Sequence, residues 1–80
     1  MNKQKALEWL TEELSVRGRV LTEDDTRNTV AEWDSLGDLL LLSRLEEALG
    51  IVVNSDELGA LKSVKSILQL MEQNNAFLVG

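Results

Sequence analysis

A serine with acidic and apolar neighbours stands at the predicted start of a leucine-rich helix, in the stretch from Trp33 to Asp38. The hydroxyl of Ser35 can cap the first helical turn, and Asp38, three residues on, can supply the acidic half of a capping box. Gly50 suits the left-handed residue that follows the last turn. The hydroxyl of Ser35 at the helix start can therefore either cap the backbone or serve as a reactive oxygen.

The residue types that the chain lacks limit what this oxygen could do. The 80 residues include no cysteine and no histidine, so the commonest general base and the commonest metal ligands are missing. Carboxylates are numerous, but they fall at helix starts and on a solvated face, and their spacing defines no paired-acid pocket. A small enzyme that uses carboxylates is thus the least favoured function, and we expect neither catalytic residues nor a metal site.

The charge pattern favours protein partners over nucleic acid. The formal net charge is −6 and the eight basic residues are scattered, whereas phosphate binding needs clustered Lys and Arg. Between Glu32 and Leu61 there are seven acidic residues and a single basic one, Arg44. The electrostatic field of this excess negative charge can steer basic partners toward the protein. No apolar run reaches membrane-spanning length and the chain begins with an amphipathic pattern, so we expect a cytoplasmic protein that does not insert into membranes.

The first half of the chain predicts two helices and a long loop. Residues 3–15 show helical spacing of Ala6, Leu7, Leu10 and Leu14, with Trp9 at the edge of this stripe. Residues 16–33 show no sustained period and need tethers, for which Val16, Val20, Leu21, Val30 and Trp33 are candidates, while Thr22 can cap a short turn. The second helix follows, from Ser35 to Gly50. Its predicted buried face consists of Leu41, Leu42, Leu45, Ala48 and Leu49, whereas Leu36, Leu39 and Leu40 point outward beside Ser43, Glu46 and Glu47.

The second half predicts two further helices. Residues 51–53 are β-branched but have no partner strand, so they form an extended connector whose side chains plug the bundle. Asn54 or Ser55 caps a brief third helix, and Ser63 caps a last helix through about Gln73. Its buried stripe consists of Val64, Ile67, Leu68 and Met71. The tail at 74–80 either folds back or stays loose. The fold class is all-α, a single domain over 1–80 with three longer helices and a short third one.

Asp34-Ser35-Leu36, at a helix start after a long loop in an acidic domain of this length, resembles the acyl carrier protein family. Matching features extend through residues 45–51, residues 56–58 and Ser63-Val64, so the resemblance covers nearly the whole chain from residue 14 onward. Trp33 and Gly37 are similar to the flanks of stand-alone carriers outside housekeeping fatty-acid synthesis. The resemblance implies a four-helix bundle of acyl-carrier type.

The resemblance also implies a covalent cofactor. A phosphopantetheinyl transferase would attach 4′-phosphopantetheine from coenzyme A to Ser35, where the amide groups and dipole of the helix start tolerate the phosphate. The thiol of this arm would carry an acyl or aminoacyl group as a thioester from a loading ligase to a downstream synthase or transferase, in fatty acid, polyketide or another specialised biosynthesis. Asp34 would orient the transferase, and Leu36 would contact it and later partners.

Partner enzymes of this family dock along the second helix. Glu46 and Glu47 match the family's acidic contacts and Leu39 matches its apolar contact, while Asp56 and Glu57 extend the acidic face. The chain departs from the family at Leu40, a position that is often acidic, and at Ser43, which is often a larger apolar residue. These departures argue against the usual fatty-acid synthase enzymes and favour a dedicated partner with a more apolar surface.

Three functions follow in order of preference. The first is a stand-alone, monomeric carrier that is not itself an enzyme. The second is a small acidic interaction module that binds another protein or itself through Leu39 and Leu40, with Ser35 only a helix cap. The third is the small carboxylate enzyme. The carried group itself is not defined by the sequence.

Overall fold

Four α-helices joined by irregular segments form the regular structure of residues 2–74, the part of the chain that the computed structural model describes. Helix α1 spans Lys3–Glu13, α2 spans Ser35–Leu49, α3 spans Ser55–Ala60 and α4 spans Val64–Gln73. Within the described range there is no strand, only an isolated bridge between Thr26 and Ser63. The predicted all-α class, long loop and brief third helix are confirmed. The tail after Asn74 lies outside the described residues.

One hydrophobic core receives side chains from every helix. Leu10 of α1, Leu45 of α2, Leu58 of α3 and Ile67 of α4 are each at most 1% exposed. The predicted stripes of α1 and α4 are buried throughout. The predicted face of α2 is partly wrong. Its centre is buried, as shown by Leu41 and Leu45, but Leu42 and Leu49 are only half-buried and Ala48 is exposed. Helical spacing defines a face, but it does not show where along the helix the neighbouring elements stop covering it.

The loop between α1 and α2 packs through Leu21, Val30 and Trp33, which are all buried. Val16 packs against the core in part, whereas Val20 is 45% exposed, so its predicted role as a tether is wrong. A valine in an aperiodic segment carries no signal of the direction in which it points.

A buried carboxylate, which the sequence did not single out, organises this loop. Asp25 accepts two hydrogen bonds from the Arg19 guanidinium, at 2.8 and 2.9 Å, and one from the Thr29 hydroxyl at 2.9 Å. It also accepts from the Thr22 backbone N–H at 2.8 Å. The turn is thus closed by the Asp25 carboxylate and not by a Thr22 cap, which corrects the prediction. The Arg19 hydrogen bonds are the main reason why the pKa of Asp25 lies well below its usual range.

The loop is also fastened to the start of α4. The Val64 N–H donates to the Asp25 carbonyl at 2.9 Å, and the Arg27 N–H donates to the Lys62 carbonyl at 3.1 Å. These backbone bonds fix the spacing between the loop and the segment that joins α3 to α4.

The end of α2 and the starts of α3 and α4 follow the predicted caps. Gly50 ends α2 in the left-handed conformation, with φ of 67°. Of the two candidates for α3, Asn54 is the cap and Ser55 is the first helical residue. Ser63 caps α4, where it forms a capping box with Ser66. In the connector between α2 and α3, Ile51 and Val53 are buried as predicted, whereas Val52 is 74% exposed and does not fill the core.

Candidate functional site

The first turn of α2 presents Ser35 outside the cap. Asp34 is the capping residue, because its Oδ1 accepts from the Gly37 N–H at 3.0 Å, and Ser35 is the first helical residue. Ser35 is exposed, and its hydroxyl forms no hydrogen bond with any residue in the 2–74 range. The prediction that Ser35 caps the helix is therefore wrong. Asp34 is also a strongly preferred capping residue, and it lies at the position where the chain enters the helix.

Asp38 does not form the predicted capping box, because its carboxylate is bound elsewhere. Its Oδ1 accepts from the Trp33 indole Nε1 at 2.9 Å, and its Oδ2 forms an ion pair with the Arg27 guanidinium. The same guanidinium lies 6.0 Å from the centroid of the Trp33 ring. We refer to Arg27, Trp33 and Asp38 as the Asp38 cluster. It fastens the loop to the first turn of α2, one helical turn from Ser35.

Gly37 permits the close packing that holds this turn. A Cβ atom at this position would lie 2.7 Å from the Glu32 carbonyl oxygen and 3.1 Å from Leu14 Cδ2. The glycine thus lets the end of the loop and the end of α1 approach the helix start. Sequence reasoning noted Gly37 only as a family-like flank. The available signal was a glycine inside a predicted helix, which often marks a close contact.

The outward side of α2 is a leucine face, formed by Leu36, Leu39 and Leu40. Their exposed fractions are 65%, 60% and 43%, so the predicted outward orientation agrees with the structure. Leu39 and Leu40 follow Leu36 by three and four residues, which places all three on one side of the helix. Ser43, Glu46 and Glu47 are exposed further along the same helix. Single exposed leucines are common on protein surfaces, whereas a contiguous group of exposed leucines often marks an interaction site.

The acidic residues predicted to contact partners differ in whether their carboxylates are already bound by other side chains. Glu47 pairs with Arg44 at 3.1 Å, and Arg44 also pairs with Glu13 at 2.7 Å, which raises the Arg44 pKa. Glu57 accepts from the Asn54 side-chain amide at 3.0 Å. Glu46 and Asp56 are exposed and form no ion pair with other residues of the described range. Glu46, Asp56 and Glu57 therefore keep negative charges that no cation of the described range pairs with, because the amide that binds Glu57 is neutral.

The predicted site residues separate into two groups in space. Asp34, Ser35 and Leu36 form the exposed first turn of α2, and the residues from Leu39 to Glu47 continue along that helix. Asp56 and Glu57 occupy the first turn of α3, which packs against α2. Sequence reasoning missed Arg27, since an arginine in an aperiodic loop carries no signal of its partner.

The described part of the chain contains no group of three or more acidic, His or Cys side chains placed to hold a metal ion. None of the helices within residues 2–74 has the length and apolar character needed to cross a membrane. Comparison of the chain with protein-family models, with curated proteins and with solved structures found no match.

Proposed function

We propose that the chain is a stand-alone carrier protein and that Ser35 is the attachment point of 4′-phosphopantetheine. The observation that carries this proposal is the state of the Ser35 side chain, which is exposed and free of the cap at a helix start held by buried neighbours. A hydroxyl that capped the helix would accept a hydrogen bond from a backbone N–H, and this bond would have to break before the hydroxyl was esterified. Here Asp34 performs the capping and the hydroxyl is available.

The surroundings of Ser35 fit a phosphodiester. The first backbone N–H groups of a helix lack partners within the helix, and they favour a negative charge at this end. The nearby Asp38 carboxylate would repel a phosphate, but it is neutralised by Arg27 and bound by Trp33. The chain contains no cysteine and therefore has no thiol of its own. When bound, the arm would supply the thiol that carries an acyl or aminoacyl group as a thioester.

The overall arrangement supports the same function. Three longer helices, a six-residue third helix and a long packed loop before the modified serine are what the acyl-carrier resemblance implies. The leucine face and Glu46 would form the docking surface for the transferase, the loading ligase and the downstream enzyme. Because Leu40 is 43% exposed where the family often has an acid, we expect partners with an apolar contact at that point.

The decisive experiment measures the mass of the intact protein after incubation with coenzyme A and a broad-specificity phosphopantetheinyl transferase. We expect a gain of one phosphopantetheine group, and Ser35→Ala should abolish it. Ser55→Ala is a matched control, because Ser55 is likewise the exposed first residue of a helix behind a capping side chain. No mass gain under conditions that modify a known carrier would contradict the proposal, as would a gain that persists in Ser35→Ala.

The exposed leucine face favours a second candidate, an acidic module that binds another protein or itself through this surface. Under this candidate Ser35 has no chemical role, although it is not the cap either. Light scattering would show a tight dimer that Leu40→Glu separates. A monomer at all concentrations would exclude self-association, and retention of biological activity in Ser35→Ala would favour the module over the carrier.

A further inference from the structure

Two carboxylates flank Ser35 at the start of α2, and one cation binds there. Asp34 precedes Ser35 and caps the helix, and Asp38 lies in the first turn. Within residues 2–74, Arg27 is the one basic residue that forms an ion pair with either of these acids. A phosphodiester on Ser35 would add a third negative charge to this turn. The placement of Arg27 therefore determines how strongly that charge is repelled.

The Asp38 carboxylate points toward the end of the helix at which Ser35 lies. Side chains of an α-helix lean toward its N-terminus and cover the preceding turn, and residues three apart are neighbours on the helix surface. The structure shows this direction, because Asp38 Oδ1 accepts from the Nε1 of Trp33, a residue that precedes the helix. The Arg27 guanidinium binds Oδ2 of the same carboxylate. It is therefore held at the N-terminal end of α2, one side chain away from Ser35.

The Arg27 guanidinium keeps unused hydrogen-bond donors. Only its Nη1 has an acceptor among residues 2–74, and its Nε and Nη2 have none there. The side chain is 28% exposed, so a ligand group can reach it. Its backbone is fixed, because the Arg27 N–H donates to the Lys62 carbonyl at 3.1 Å. A guanidinium in a fixed place with free donors suits an oxyanion, since its planar group can donate to two oxygens at once.

We propose that Arg27 binds the phosphate of the arm on Ser35, with the donors that Asp38 leaves unused. In the modified protein one guanidinium then joins the Asp38 carboxylate and the phosphodiester. This inference rests on the proposed function. It adds a residue of the preceding loop to the attachment site.

A purely structural role of Arg27 leads to a different expectation. If Arg27 only fastens the loop to α2, any change that weakens its pair with Asp38 loosens its side chain. If Arg27 also binds the phosphate, the two anions share one guanidinium, and removing the charge of Asp38 strengthens the phosphate contact. Asp38→Asn separates the two roles, because it removes the charge and keeps a side-chain oxygen for the Trp33 indole.

The test follows the Arg27 Nε–H group by NMR in the full chain, before and after the transferase adds the arm from coenzyme A. We expect the arm to shift this resonance and to slow its exchange with water roughly two- to fivefold, the effect of one partly exposed ion pair. Arg17 is the internal control, because it is exposed and forms no ion pair within residues 2–74. No change at Arg27, or an equal change at Arg17, would overturn the inference.

Variants examine the same contact from both sides. In Asp38→Asn, the arm should slow exchange of the Arg27 Nε–H more than it does in the wild type, whereas a smaller effect would indicate the structural role alone. Arg27→Gln should shift the phosphorus resonance of the arm, and Arg27→Lys, which keeps the charge, should shift it less. Arg17→Gln is the matched control and should leave this resonance in place. Equal phosphorus shifts in Arg27→Gln and Arg17→Gln would reduce the effect to general electrostatics and overturn the contact.

The mass of the intact protein distinguishes the two possible failures. If no arm is added at Ser35, the proposed function fails and this inference fails with it. If the arm is added and the Arg27 side chain does not respond, the carrier function stands and only the phosphate contact is wrong.

Discussion

Helices α2 and α3 begin with the same local chemistry in different surroundings. Asp34 and Asn54 both cap by accepting from the backbone N–H three residues on, at 3.0 and 2.7 Å. Ser35 and Ser55 both follow as the exposed first helical residue. Two serines of this chain thus share the cap, the helix dipole and the accessibility that a modification site needs.

The difference lies in what holds the two turns. Around Ser35, the buried Trp33 indole, the Asp38 carboxylate and the close contact at Gly37 fasten the helix start to the loop and to α1. Around Ser55, the side-chain hydrogen bonds in the described range are local ones, between Asn54 and Glu57. A cap makes a serine accessible, but tertiary packing determines whether it is held in a fixed position for a partner.

The largest expected effect concerns the two helix glycines. Gly37→Ala should lower the free energy of unfolding by about 2 kcal/mol, because its Cβ would lie 2.7 Å from a backbone oxygen and the overpacking exceeds the gain in helix propensity. Gly59→Ala in α3 meets no atom within 4 Å and should raise the stability by about 0.5–1 kcal/mol. Urea unfolding of both variants measures the contrast. A neutral Gly37→Ala would mean that the start of α2 is no more tightly packed than α3.

The second prediction concerns the loop on which the start of α2 depends. Asp25→Asn should lower the stability near pH 7 by about 1 kcal/mol, because Arg19 loses its charged acceptor. It should also increase hydrogen exchange in the loop and in the first turn of α2 more than in α3. Asp24→Asn is the control, since Asp24 is exposed and its side chain has no hydrogen bond within residues 2–74.

The same residue gives a pH dependence with a defined sign. The folded-state pKa of Asp25 is lowered, first by Arg19, while the unfolded value is about 4. Its stabilising contribution is therefore complete above about pH 4 and is lost as the pH falls further. The difference in stability between wild type and Asp25→Asn should shrink on acidification. A difference that stayed constant down to pH 3 would contradict the ion pair.

The smallest expected effect tests the cap itself. Ser35→Ala should change the free energy of unfolding by less than about 0.5 kcal/mol, because the exposed hydroxyl has no hydrogen bond to lose within residues 2–74. Ser63→Ala, which removes the true cap of α4, should cost about 1 kcal/mol. Thermal unfolding of the two variants measures this difference in stability. Equal losses would mean that Ser35 does contribute to the cap.

Local patterns in the sequence predicted most of the fold. Helical spacing identified the buried stripes of α1 and α4, and Gly50, Asn54 or Ser55, and Ser63 marked helix boundaries, since caps depend on residues close in sequence. The same reasoning placed the cap of α2 one residue late. Two adjacent residues there can both cap, and the sequence alone does not show which of them the backbone uses.

Contacts between distant segments were beyond the reach of these patterns. The ion pair of Arg27 with Asp38, the buried Asp25 and the approach of Glu32 to Gly37 join residues whose proximity depends on the path of an aperiodic loop. Nothing in the identity of a loop arginine states which carboxylate it will meet.

The sequence by itself determined an acidic, all-α chain with an exposed serine near the start of its second helix, because composition, periodicity and short-range caps are local properties. The tertiary structure decided that Asp34, and not Ser35, caps this helix. It also decided that Trp33, Asp38 and Gly37 hold the turn in place. The contact at Gly37 depends on packing across the loop, which brings Leu14 and the Glu32 carbonyl oxygen to the start of the helix.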